Sequence, residues 1–173
     1  MWTILVVALL CILLAAIWRS TRRQEKWLPH QLQGATLAFT EMKFVSKRLA
    51  LGAKVDRVYK TPDLGHHVLE FKTRGRPIAY RSDLIQLSVQ AAVLRDLGYR
   101  VANTGWIGCI NDDDSTITPV PVQLLSEVEI VDLRARYEAI RTRRVAGHMS
   151  ISKRCNTCGQ RKHCTQTQRQ RTT

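Results

Sequence analysis

The chain has 173 residues, enough to bury the core of one ordinary domain and too few for several such domains. Its formal charge of +13 and pI near 10.2 favour polyanionic partners, either nucleic acid or anionic lipid. The charge is uneven: from Arg141 onward there are many Lys and Arg and no Asp or Glu, so salt-sensitive phosphate contact is expected there.

Residues 2–18 (WTILVVALLCILLAAIW) carry no charge. As a helix rising 1.5 Å per residue they span about 25 Å, at the short end of what crosses a bilayer. Trp2 and Trp18 suit the two interfaces, and Arg19, Arg22, Arg23 and Lys26 follow at once. The expectation is an uncleaved transmembrane anchor over 1–19. The N-terminus would lie outside and the remainder in the cytoplasm, as in a single-pass protein of a bacterial inner membrane. A signal peptide is the competing reading, but it wants a basic start and small residues at a cleavage site. Cys11 then reads as apolar filler within the helix.

A connector over 20–36 leads to the domain expected at 37–164. Residues 37–45 alternate loosely and predict a first strand. Glu41 in it is either an extra acid near a metal or a partner for a surface lysine. The apolar run 49–59 predicts the next strand and holds Asp56. A turn at Thr61-Pro62-Asp63-Leu64-Gly65 joins it to a third strand carrying Glu70-Phe71-Lys72. Alternation puts Glu70 and Lys72 on one face and Leu69 and Phe71 on the other. Such a hairpin brings the Asp56 and Glu70 carboxylates together beside the Lys72 amine. Two carboxylates in one small space repel unless a cation separates them, and hard oxygen ligands suit Mg²⁺ or Mn²⁺. Metal, carboxylates and an amine beside a water suit phosphodiester hydrolysis.

Residues 82–97 predict a helix with Ser82 as N-cap and Gly98 as its stop. Asp83, Gln86 and Gln90 fall on one polar stripe of it, placed to line a cleft beside the third strand. A further hairpin is expected over 100–125, turning at Asn111-Asp112-Asp113-Asp114. These aspartates read as turn formers rather than metal ligands, and Cys109 as a small buried hydrophobe. Ser126-x-x-Glu129 is a capping box opening a helix to Arg144, with Ile130, Leu133, Tyr137 and Ile140 as its buried stripe. Residues 165–173 are expected to form a disordered basic tail.

Cys155-x2-Cys158-x5-Cys164 places three of the five cysteines within ten residues. In a reducing compartment such spacing reads as metal or cluster ligation rather than a disulfide. A structural zinc with a Cys₃His set is one reading, with His148 having more slack than His163. A remnant that binds nothing is another.

In order, Glu41, GAKVDRV, VLEFK, DLIQLSVQAAVLRDLGY and CNTCGQRKHC make the chain resemble the RecB-like branch of the PD-(D/E)XK nucleases. It is most similar to the iron–sulfur CRISPR adaptation exonucleases, the fourth Cas family, and the likeness spans about residues 37–164. The resemblance implies a restriction-endonuclease-like α/β core, a central mixed sheet flanked by helices. It makes Asp56, Glu70 and the Phe71 backbone carbonyl ligands of Mg²⁺ or Mn²⁺. Lys72 would orient or activate the attacking water, and Gln86 would support the site and contact substrate. Cys155, Cys158 and Cys164 become ligands of a [4Fe–4S] cluster. The family usually has a tyrosine four residues after the glutamine, where this chain has Gln90. The upstream region that supplies a first cysteine and often a histidine has no room here; His30 is not expected to be a ligand. His163, His148 and Cys109 are the candidates for a fourth. The expected function is a membrane-anchored, metal-dependent DNA nuclease. The alternative is a catalytically weak, membrane-tethered nucleic-acid-binding or scaffold module of the same fold, and a third reading sets the basic tail on anionic lipid.

Overall fold

The computed structural model describes residues 11–12, 26–63, 65–147, 153–159 and 161. Two compact units divide the chain, Met1–Val131 and Asp132–Thr173. In the first, strands β1 (Thr36–Ser46), β2 (Leu51–Thr61), β3 (Gly65–Thr73), β4 (Thr104–Ile110) and β5 (Ile117–Gln123) form one sheet in sequential order. Helix α1 (Arg81–Asp96) connects β3 to β4, the one parallel pair, and the remaining neighbours are antiparallel. This is a mixed-sheet α/β fold, and the strand–helix–strand unit at its centre carries the Glu70-Phe71-Lys72 triplet.

The long β1–β2 and β2–β3 hairpins follow from apolar alternation and tight turns. Gly65 (φ +81°) opens β3, where a Cβ would lie 2.5 Å from the Arg100 carbonyl oxygen, so no other residue fits that crossing. Val55, Val58, Val68 and Ile107 point to one face of the sheet and pack with Leu87, Ala91 and Leu94 of α1. Leu69, Tyr59 and Trp106 point to the other, which the segment 27–35 covers with Leu28, Leu32 and Ala35. One face is thus sealed by a helix and the other by an irregular segment containing a 3₁₀ turn at His30–Leu32.

β1 forms one edge of the sheet. Its pairing with β2 slips by a residue between Leu37 and Phe39, and Glu41 adopts φ 52°. β5 forms the other edge, where Pro119 and Pro121 lie opposite Gly108 and Trp106. Proline has no N–H to give a ladder, so these two turn their nitrogens outward.

Helix α1 starts one residue before the expected N-cap. The Tyr80 N–H donates to Asp83 Oδ2 at 2.9 Å, and Gly98 (φ +88°) ends the helix as expected. The capping box of helix α2 (Glu127–Arg141) is present. The Ser126 N–H and Oγ both donate to Glu129 Oε2 at 2.8 Å, and the Glu129 N–H returns to Ser126 Oγ at 3.3 Å. Ile130 is buried, but Tyr137, expected on the same stripe, is 62% exposed. The Asn111–Asp114 turn is held by its own side chains: Asp114 Oδ1 accepts the Thr116 N–H and hydroxyl, and Asn111 Oδ1 accepts the Asp113 N–H. Cys109 is buried in the core.

The transmembrane anchor requires correction. Among the described residues no helix is long and apolar enough to cross a membrane, so neither the expected anchor nor the single-pass localisation built on it is supported. An apolar run alone does not make a span: about 20 continuous helical residues are needed, and of 1–19 only Cys11 and Ile12 are described. The rest of that stretch lies outside the described residues, as do the tail at 165–173, His148, His163 and Cys164.

Candidate active site

The β2–β3 ladder runs from the turn as far as Arg57 opposite Leu69. The next opposed pair is Asp56 and Glu70, and here the strands part. The Phe71 N–H donates to Asp56 Oδ2 at 3.0 Å, so a carboxylate stands where a backbone acceptor would continue the ladder. In an antiparallel strand the N–H and C=O of one residue face the same side. The Phe71 carbonyl therefore faces the same opening as its N–H, beside Asp56. Beyond the fork β3 stays paired with β4, with Phe71 opposite Gly108.

On the helix side, Glu70 is 4% exposed and accepts every nearby donor. Its Oε1 accepts Lys72 Nζ at 2.8 Å and Gln86 Nε2 at 2.5 Å, and its Oε2 accepts Gln90 Nε2 at 2.8 Å. Lys72 Nζ also donates to Gln86 Oε1 at 3.0 Å. An ammonium has three protons, so one is left to point at a ligand. Gln90 Nε2 donates a second bond to the Lys54 carbonyl at 3.0 Å. Both of its partners are acceptors, which sets the amide orientation and leaves the buried Gln90 Oε1 without a partner.

Burial raises the Asp56 carboxyl above its usual range. The Phe71 N–H opposes this, while Glu70 and Glu41 push the same way as burial. Glu41, the candidate accessory acid, ion-pairs with Lys54, and that contact raises the lysine. It thus takes the surface-lysine reading while still adding its field to Asp56. Around the fork, three carboxylates (Glu41, Asp56, Glu70) face two ammonium groups (Lys54, Lys72), leaving one negative charge in excess. Two carboxylates and a carbonyl facing one opening, with negative charge uncompensated, fit a hard divalent cation.

No family model matches the chain, and neither does any curated protein. Among solved structures it is similar to the crystal structure of SSO0001, with a TM-score of 0.51 at 16% identity over 93% of this chain and 72% of that one. A likeness at that identity concerns the fold alone.

The structure therefore brings together Asp56, Glu70, Phe71, Lys72, Gln86 and Gln90, all named from the sequence. Asp83 departs from its expected place on the cleft. It is buried against Arg74, which donates to it at 2.9 and 3.3 Å and lies over the Tyr80 ring at 4.8 Å. Burial alone would raise Asp83, but Arg74 and the Tyr80 N–H hold it below the usual carboxylate range. This pair, absent from the sequence reading, clamps the end of β3 to the start of α1 and so keeps Gln86 over Glu70. Its only sequence signal is an arginine and an aspartate flanking the β3–α1 connection.

Among the described residues no three His, Cys, Asp or Glu side chains gather as a metal cluster. Cys155 lies in a 3₁₀ turn at Lys153–Asn156 and Cys158 follows it; Cys164, the third of the triplet, is not described.

Proposed function

We propose that this chain is a divalent-metal-dependent DNA nuclease hydrolysing phosphodiester bonds, related to the PD-(D/E)XK nucleases. The observation that carries the reading is the strand fork, where Asp56 and Glu70 come together beside Lys72 with one ammonium proton unspent. Asp56, Glu70 and the Phe71 carbonyl are the residues to hold Mg²⁺ or Mn²⁺. Bound there, the ion supplies Lewis-acid polarisation of the phosphate and a more acidic water. Lys72 is anchored by Glu70 and Gln86, so its free proton is aimed rather than mobile, and it steadies the developing negative charge or orients the attacking water. Gln86 and Gln90 keep the Glu70 carboxylate from rotating out of the opening. The +13 charge suits a polyanionic substrate.

The test is digestion of linear DNA by the purified chain in Mn²⁺, Mg²⁺ or EDTA. Cleavage is expected only with metal, and Glu70→Ala should lower it by at least about a hundredfold with the fold intact by circular dichroism. Equal cleavage in EDTA, or an unaffected Glu70→Ala protein, refutes the proposal. The cysteines belong to the same reading. Cys155, Cys158 and Cys164 would ligate a [4Fe–4S] cluster or, in its place, a zinc ion. Iron, acid-labile sulfide and zinc measured on anaerobically purified protein separate these from a triplet that binds neither.

A further inference from the structure

A second cleft, of about 460 Å³, opens on the opposite face of the sheet and takes no part in the chemistry above. Its lining includes His67 at the start of β3, Trp106 of β4, Pro121 of β5, and Arg100, Val101 and Asn103 between α1 and β4. Alternation along β3 puts His67 with Leu69 and Phe71, facing away from Glu70 and Lys72.

Two buried polar side chains reach this cleft without partners. His67 is 2% exposed and Trp106 is 6% exposed, and neither the imidazole nitrogens nor the indole N–H meets a partner in hydrogen-bond geometry. The Thr104 backbone lies near the imidazole and slightly favours its protonation, but burial outweighs it and keeps His67 below its ordinary range, hence neutral at physiological pH. Buried polar atoms are nearly always paired, so unpaired ones sharing a cleft imply an occupant.

The surrounding groups narrow the chemistry. Trp106 Nε1 and the Arg100 guanidinium only donate. Asn103 Oδ1 already accepts Arg95 Nη2 at 3.0 Å, so its amide N–H₂ is what remains to offer. A neutral imidazole offers one donor and one acceptor. Val101, Pro121 and the indole supply apolar walls. A bare anion would use Arg100 and leave the deeper donors idle. A flat heterocycle with alternating acceptors and donors, carrying an anionic group, uses all of them, and the volume lies within the usual range for small-molecule sites.

We infer that this cleft binds a nucleoside monophosphate, the base edge on Trp106 and His67 and the phosphate on Arg100. The site is separate from the Asp56–Glu70 fork, and the inference stands whether or not the fork cleaves DNA.

Calorimetric titration of the full chain in EDTA, with deoxynucleoside 5′-monophosphates, the matching nucleosides and inorganic phosphate, tests it. The monophosphates should bind, with nucleoside and phosphate each at least about tenfold weaker. Trp106→Phe keeps the ring and removes the N–H, and should weaken monophosphate binding about tenfold. Arg100→Gln, at an exposed position that spares the core, should weaken the monophosphates and leave nucleosides unchanged. Absence of binding at millimolar ligand would mean that the cleft holds only water and would overturn the inference. So would phosphate binding as tightly as the nucleotides, affinity unchanged in both variants, or loss of binding in Glu70→Gln, which would place the ligand at the fork.

Discussion

Asp56 pays for its position beside Glu70 in the metal-free protein, and the sign of that cost can be measured. Its carboxyl is raised in the fold by burial and by Glu70 and Glu41. The protonated form is therefore the one the fold favours. That contribution is complete below the ordinary value near 3.8 and is lost as pH rises through the raised value. Asp56→Asn keeps an oxygen for the Phe71 N–H and removes the charge. In EDTA at neutral pH it should melt above the wild type, and the gap should close on acidification. Metal reverses the order: at about a hundred times its Kd it should add about 2.7 kcal/mol to the wild type and nothing to the variant. Thermal melts with and without Mn²⁺ check both halves. Gln90 gives a second test at this scale. Gln90→Leu strips a donor from Glu70 Oε2 and from the Lys54 carbonyl, costing about 1–3 kcal/mol of stability. Because Gln90 is 1% exposed, it cannot touch DNA. For the proposed nuclease activity, kcat should fall about tenfold with KM for DNA unchanged, which steady-state kinetics would show.

At the scale of elements, the fork depends on a glycine in the neighbouring strand. Phe71 lies opposite Gly108, and a Cβ there would stand 2.8 and 2.9 Å from two Phe71 ring carbons. The ring is also flanked by Trp27, at 5.4 Å between centroids, and by the Arg57 guanidinium at 5.0 Å. It has little room to retreat. Gly108→Ala should cost about 1–3 kcal/mol and weaken Mn²⁺ binding, since moving Phe71 moves the N–H held by Asp56. Gly75→Ala, with nothing within 4 Å of the added carbon, is the control expected to be near neutral. Denaturant melts and metal titration of the two variants decide it. Elements of this kind were legible in the sequence as far as periodicity reaches. Alternation put Glu70 and Lys72 on one face, and helical spacing put Gln86 and Gln90 over them. Neither signal could show that β2 and β3 part after Arg57, because a fork appears only when a side chain replaces a ladder acceptor. Nor could spacing reveal the Arg74–Asp83 clamp, which forms as the connection folds back, or the contact of Glu41 with Lys54, which depends on a left-handed residue within β1.

At the scale of the molecule, the 2–18 run carries no charge, and among the described residues no helix is long and apolar enough to cross a membrane. The two outer strands show a whole-sheet property that no local pattern announced. Pro119 and Pro121 withhold donors along β5, while the register slip and the left-handed Glu41 interrupt β1. In colloidal terms the sheet is a monomer unit with both polymerising ends blocked, one chemically and one by shape. Unblocking the chemical end changes its valence. In a Pro119→Val, Pro121→Thr protein two fresh N–H groups line an extended edge while the interior stays as it was. Such a protein should keep its far-UV circular dichroism, yet its light scattering should climb with concentration as strands add from molecule to molecule, whereas the parent's scattering per unit mass stays flat.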